Sequence, residues 1–416
     1  MRTYLDHAAT SPMPPDVLDA YTAELRRAAN PSSLHAEGQA ARMRIEQARE
    51  DLARAVGAST PAEVVFTSGG TEADNLAIKG LWGLRNPGAR PAGDDASAGE
   101  GASAGEGRSP APPRPRILIS AIEHPAVSEA ADWLTGLGAE VVRIPVDADG
   151  RLDLPAFVAA LAADPERTAL VSVMAANNEI GTVQPIAEVA ALARAHRVPV
   201  HTDAVQAFGQ LPLDFAELGV DAMTVTAHKI GGPVGIGALV LSRDLAPEPV
   251  LHGGGQERAV RSGTLDVAGA VAFAAAATAA TADLPARAGR MAVLRDRLIG
   301  GITAAVPEAE LSGPPGAGRL PNNVHFVFPG CEGDTLIFGF DAAGFATSAG
   351  SACSAGVSRP SEVLLACGRD EATARACQRF TLGPETSEAE VDRLLAALPE
   401  IIARARRAGM ASGAPA

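Results

Sequence analysis

A lysine at the end of a short apolar run is poorly explained as a solvated charge. In DAMTVTAHKIGGPVGIGALVLS, Lys229 follows the run 222–226, has Thr226 and His228 beside it, and precedes a glycine-rich turn. In a partly desolvated pocket its pKa falls, and the neutral amine becomes a Schiff-base nucleophile and a base. In VPVHTDAVQAFG, Asp203 also follows an apolar run, where an unpaired carboxylate is costly and calls for a cationic partner. A protonated pyridine nitrogen would serve, as would a structural salt bridge, and Gln206 three residues on could hydrogen-bond a ring substituent. In ISAIEHPAVSEA, His124 stands before Pro125 at a first helical position. A helix N-terminus favours the neutral imidazole, which can stack on a flat cofactor and shuttle a proton, or simply cap the helix. In VVFTSGGTEADN a strand ends at Thr67, glycines turn, and a helix starts near Thr71. Free N–H groups there suit a phosphate, although Thr71 could be a plain N-cap. A pyridine-nitrogen carboxylate and a lysine on successive strands form a strong joint signal.

Those residues need elements to hold them. Short β-branched runs at 64–67, 117–120, 141–144, 170–174, 198–202, 222–226 and 238–241 alternate with helical patterns such as 71–81, 125–137 and 186–196. The alternation predicts βαβ units, hence an α/β fold with a mostly parallel seven-stranded sheet flanked by helices and its chemistry at the strands' carboxyl ends. A further helix over 38–56 precedes the sheet. After Arg261 come long Ala-rich helices and a few strands, among them 323–327. The expected division is a large domain over 16–264 and a smaller α+β domain made of 1–15 and 265–416.

The chain has 416 residues, 47% hydrophobic and 20% charged, enough for two domains with a large core. Its 35 basic against 49 acidic residues leave a net charge of −14, which argues against nucleic acid as the main partner. The N-terminus lacks the apolar core of a signal peptide, no apolar run reaches membrane-spanning length, and 267–282 reads as a packed Ala-rich helix. Cys331, Cys353, Cys367 and Cys377 form no CxxC pair, so neither a disulfide framework nor a metal site is expected, and a reducing cytoplasm fits best. The stretch 86–115 has no Val, Ile, Leu, Phe, Met, Tyr or Trp and repeats ASAGEG in tandem. With nothing to bury, it predicts a disordered surface insertion.

Nearly the whole chain outside that insertion resembles the class V, fold type I pyridoxal phosphate (PLP) enzymes, and among them the cysteine desulfurases of the NifS/IscS type. The resemblance rests on YLDHAAT, NPSSLH, TSGGTEADNLAIKG, EHPAV, NNEIGTVQPI, HTDAVQ, AHKIGGPVGIGAL, HGGGQERAVRSGT and SAGSACSAG, in that order. It implies that Lys229 forms the Schiff base, Asp203 pairs with the pyridine nitrogen, and His124 stacks on the ring. Gln206 and Asn178 would contact the phenolic side, while Gly70, Thr71, Thr226 and His228 hold the phosphate. Thr264 would reach the phosphate of a second subunit, making the enzyme a homodimer. Arg379 in QRFTLG would take the substrate carboxylate, a task suited to its planar fork. The chain departs from the family at Ala227, Gly231 and Val234, and its C-terminus lacks the extended tail that housekeeping members use to dock an iron–sulfur scaffold.

Cys353 sits in TSAGSACSAGVSRPSEVL, a run of small residues that reads either as a mobile loop or as the site of a small buried cysteine. The resemblance makes Cys353 the nucleophile, and leaves Cys331, Cys367 and Cys377 as ordinary buried thiols, the last two in helical surroundings. It implies sulfur abstraction from L-cysteine, yielding alanine and a Cys353 persulfide for an acceptor: an iron–sulfur scaffold or a thiolation protein. Rival readings are a class V aminotransferase, a selenocysteine lyase, and a non-catalytic regulatory module on the same fold. A regulatory module would have a damaged cofactor set, and this set is complete.

Overall fold

The computed structural model describes residues 2–27, 30–89, 112–350 and 359–412. After β1 (Thr3–Tyr4), α1 (Pro15–Leu25) and α2 (Ala36–Val56), the chain enters a repeating strand–helix pattern. It runs β2 (Val64–Thr67), α3 (Gly70–Arg85), β3 (Arg116–Ser120), α4 (Pro125–Leu134), β4 (Glu140–Ile144), α5 (Leu154–Ala163), β5 (Thr168–Ser172), α6 (Ile186–Ala195), β6 (Val200–Asp203), α7 (Phe215–Leu218), β7 (Ala222–Thr226) and β8 (Gly237–Leu241). The seven strands order as β2-β8-β7-β6-β5-β3-β4, parallel except that β8 runs against both of its neighbours. Each expected strand is present, with ends shifted by at most two residues.

Strict alternation explains why helices cover both faces. On β2, Val64 and Phe66 face one core while Val65 faces the other; on β8, Ala238 and Val240 oppose Leu239 and Leu241. The first core takes α2, α5 and α6, and the second takes α3 and α4. Each valine, leucine or phenylalanine so buried contributes about 1.5–3 kcal/mol. A buried bidentate pair, Arg49 to Glu257 at 2.7 Å on both arms, joins α2 to the loop after β8, and Glu257 also accepts from the Phe66 N–H.

The remainder comprises α8 (Val267–Ala282), α9 (Leu284–Ala305), β9 (Glu310–Leu311), β10 (Asn323–Val327), α10 (Gly333–Ala342), β11 (Phe345–Ala346), α11 (Glu362–Ala366), α12 (Glu371–Arg375), β12 (Cys377–Thr381) and α13 (Glu388–Ser412). An antiparallel sheet β12-β10-β9 and the parallel pair β1–β11 build the smaller unit. Its core gathers Leu5, Leu294, Leu298, Phe326, Phe340, Phe380 and Leu398. The helix α8 packs elsewhere. Val267, Ala270, Phe273 and Ala277 of α8 lie in the first core, where alanines let α8 approach α1 and α2 closely. The α8 helix thus shares the core of the large sheet.

Two expectations change. Cys377 opens a strand rather than lying in a helix, because β-branched and aromatic neighbours register it against Val327. The low-complexity stretch is narrower than 86–115. Asn86 is 1% exposed, donates from Nδ2 to the carbonyls of Trp82 and Arg114 at 2.9 Å each, and accepts the Arg114 N–H at 2.8 Å. Residues 86–89 and 112–115 thus belong to the fold, while 90–111 lie outside the described residues.

Candidate active site

The carboxyl ends of β3, β5, β6 and β7 open on one cavity of about 300 Å³. Gly70, Thr71, His124, Asn178, Asp203, Gln206, Thr226, His228, Lys229 and Arg379 all line it, so ten positions picked from sequence converge in space. Thr264 does not; it is exposed outside the cavity. Cys353 lies outside the described residues, which resume beyond it at Arg359.

At one end of the cavity stands the N-terminus of α3. Gly69 occupies the N-cap at φ +153°, a glycine conformation, and no side chain caps the first turn, so Thr71 is not the cap. The N–H groups of that turn offer an anion site where a Cβ at Gly70 would press within 3.1 Å of Val205. Thr226 and His228 border the same cavity, and the Thr226 hydroxyl donates to the Ile236 carbonyl at 3.2 Å.

Lys229 reaches across to the N-terminal segment. Its Nζ donates to the carbonyls of Ala8 at 2.5 Å and Ala9 at 2.9 Å, and Gln206 Nε2 donates to the Ala8 carbonyl at 3.0 Å. Burial first, and the Arg379 charge second, push the Lys229 amine down to about 8 against the pull of Asp203 and Asp6. That is the range in which an amine is both nucleophile and base near neutrality. Asp203, 6% exposed, accepts the Val205 N–H at 2.8 Å; burial pushes its carboxyl up, opposed by His124 and Lys229.

His124 is the N-cap of α4, with Nδ1 accepting the Ala126 N–H at 3.1 Å, and it also lines the cavity. That bond places the ring proton on Nε2, and burial lowers its pKa, keeping the imidazole neutral. Asn177 builds the turn that carries Asn178, its Oδ1 accepting the N–H groups of Glu179 and Ile180. Arg379, 4% exposed on β12, donates to the Asn178 carbonyl at 2.7 Å and to Asp6 at 2.9 Å, while its buried Nε has no partner. A guanidinium so placed can take a small carboxylate.

Sequence reasoning missed Asp6, the Ala8 and Ala9 carbonyls, Asp74, Met174 and Val205. The YLDHAAT segment was a visible signal for the first three. Asp74 could have been found as an acid on the buried side of α3, between Ala73 and Leu76.

A lysine with a lowered pKa, a buried carboxylate, a neutral histidine and an uncapped helix N-terminus suit PLP: a phosphate, a ring nitrogen and an aldehyde each meet a matching group. The comparisons agree. The Aminotransferase class-V family model matches residues 3–89 and 103–394. An IscS-like cysteine desulfurase of Mycobacterium tuberculosis is 48% identical over 410 residues, covering 98% of each chain. The solved structure of a NifS-like protein superposes with a TM-score of 0.84 at 32% identity, over 97% of this chain and 100% of that one. The structure of SspA in complex with cysteine does so with a TM-score of 0.74 at 31% identity, over 92% and 100%.

Proposed function

The chain belongs to the class-V aminotransferase family and is a cysteine desulfurase of the NifS/IscS type, a family of PLP enzymes, and from that premise we propose that Lys229 binds PLP and Cys353 receives the sulfur of L-cysteine. The observation that carries this reading is the meeting of Lys229, Asp203, His124 and Arg379 with the α3 N-terminus in one cavity. Bound there, the cofactor would supply an electron sink for the carbanion formed at the substrate Cα.

The protein's own groups do the rest. Gly70, Thr71, Thr226 and His228 hold the phosphate, Asp203 the ring nitrogen, and Asn178 and Gln206 the phenolic side, with His124 against the ring. Arg379, pinned by the Asn178 carbonyl and Asp6 with donors still unused, Nε among them, takes the substrate carboxylate. The Lys229 amine takes the Cα proton, because near its pKa of about 8 a useful fraction is neutral at physiological pH. His124, with Nδ1 tied to the Ala126 N–H, has Nε2 free to exchange a proton. The Cys353 thiolate attacks the substrate sulfur: an S–S bond forms, the Cβ–S bond breaks, and its electron pair with a proton leaves alanine.

The persulfide passes to an acceptor protein, an iron–sulfur scaffold or a thiolation protein, in the cytoplasm. Thr264, exposed outside its own cavity, would serve a second subunit's phosphate in a homodimer.

Cys353→Ser tests the sulfur step. The variant is expected to keep the bound cofactor's visible band and lose alanine and sulfide release from L-cysteine. Unchanged turnover would sink the assignment and favour a lyase or aminotransferase chemistry with no need of Cys353.

A further inference from the structure

The floor of the cavity holds an acid that the reaction above does not use. Asp74 stands one turn along α3 from Gly70, is 2% exposed, and lines the cavity together with Asp203. The Thr224 hydroxyl of β7 favours its charged form, yet Oδ1 is buried with no hydrogen-bond partner. A carboxylate oxygen left in that state is costly unless a ligand completes it.

The surrounding groups bring no compensating cation. From β6 come Asp203 and His201, the latter with Nε2 at 3.6 Å from Asp74 Oδ1. His201 is tied to the hydroxyls of Ser172 at 2.9 Å and Thr224 at 3.0 Å, and burial pushes its pKa down to about 3, so the ring is neutral. From the β3–α4 turn comes Glu123, accepting the Met174 N–H at 2.8 Å. Lys229 is held on the Ala8 and Ala9 carbonyls, and Arg379 on Asp6 and Asn178. Three carboxyls therefore converge under the cavity. Burial raises all three pKa values, most strongly at Asp74 and Glu123, and the Asp203 charge raises Asp74 further.

We propose that Asp74 is a positioning residue for the cofactor, forming with Asp203 a paired-carboxyl floor that receives the protonated ring nitrogen of PLP. The inference rests on the cofactor reading above. It carries a consequence for the empty protein. A carboxyl whose folded pKa lies above its unfolded value weakens the native state as pH rises from the unfolded pKa toward the folded one. The cofactor-free fold should therefore lose stability as pH rises above about 4, and the ring proton should restore it.

The test compares cofactor-free wild type with Asp74→Asn, by thermal melts at acid and mildly alkaline pH with and without PLP, and by pH titration of the bound cofactor's visible band. Asp74→Asn is expected to melt above the wild type when empty at alkaline pH, the gap closing in acid. It should bind PLP about ten-fold more weakly, the scale of one pKa unit of lost charge interaction. The midpoint of the visible band should move to lower pH, which a merely structural role would not produce. Thr224→Ala, which removes the hydroxyl favouring the charged carboxyl, should move the midpoint the same way and covers the case in which Asp74→Asn fails to fold. Wild-type affinity and an unmoved midpoint in the variants would overturn the proposal. A wild type that binds no PLP would instead remove the cofactor reading itself.

Discussion

Replacing Arg379 by lysine keeps the charge and removes the fork. In the structure, Nη1 and Nη2 are committed to the Asn178 carbonyl and to Asp6, and Nε is the buried donor without a partner. A lysine's three donors radiate from one atom and lack the planar fork, so an ammonium cannot match the spread geometry of Asn178, Asp6 and a substrate carboxylate. A hydrogen bond to a charged group is worth about 1.5–3 kcal/mol. Losing one such bond, with misalignment of the rest, sets a loss of about 3 kcal/mol, or about a hundred-fold in kcat/KM. The carboxylate is held in ground and transition states alike, so the loss should fall mainly on KM. The assay is alanine formation across a range of L-cysteine concentrations, with the visible spectrum confirming that the cofactor site is intact. A KM unchanged to within about three-fold, at normal cofactor content, would refute the reasoning and leave Arg379 as a clamp between Asp6 and Asn178.

Two further outcomes follow from groups held off their ordinary pKa values. Cofactor uptake by the empty protein requires the neutral Lys229 amine, so its rate should rise with pH and level off above about 8; a rise centred near the ordinary lysine value would show that the pocket does not desolvate it. His325 is buried on β10 with its pKa pushed down to about 3, chiefly by burial. A base depressed in this way stabilises the fold above its unfolded pKa and loses that contribution as pH falls from about 6.5 toward the folded value. His325→Gln should thus gain on the wild type in thermal melts between pH 7 and acid, and a gap independent of pH would count against it.

The sheet was legible because its strands are short, β-branched and bounded by glycine and polar turns, so period-two alternation read directly as two covered faces. The cavity was legible because the decisive side chains sit at strand ends within recognisable strings. What stayed hidden depends on contacts distant along the chain. The Ala8 and Ala9 carbonyls meet Lys229 from the opposite end of the sequence, and no local pattern announces a backbone oxygen as a lysine's partner. Asp74 was masked by α3's regular amphipathic pattern, since its importance comes from β6 and β7 underneath. The alanines of α8 revealed a packed helix but not which core they pack in, because small side chains fit either neighbour.

The Asn86 clasp has a practical meaning. Its side chain joins the end of α3 to the start of β3 through three hydrogen bonds, closing the chain at the base of the excursion between them. Asn86 and Arg114 are thus held together within the described residues, and chain added between such fixed ends costs only slowly growing closure entropy. That closure is a port for cargo: a fluorescent reporter or affinity module spliced there would ride on the enzyme without pulling on the strand that leads to His124.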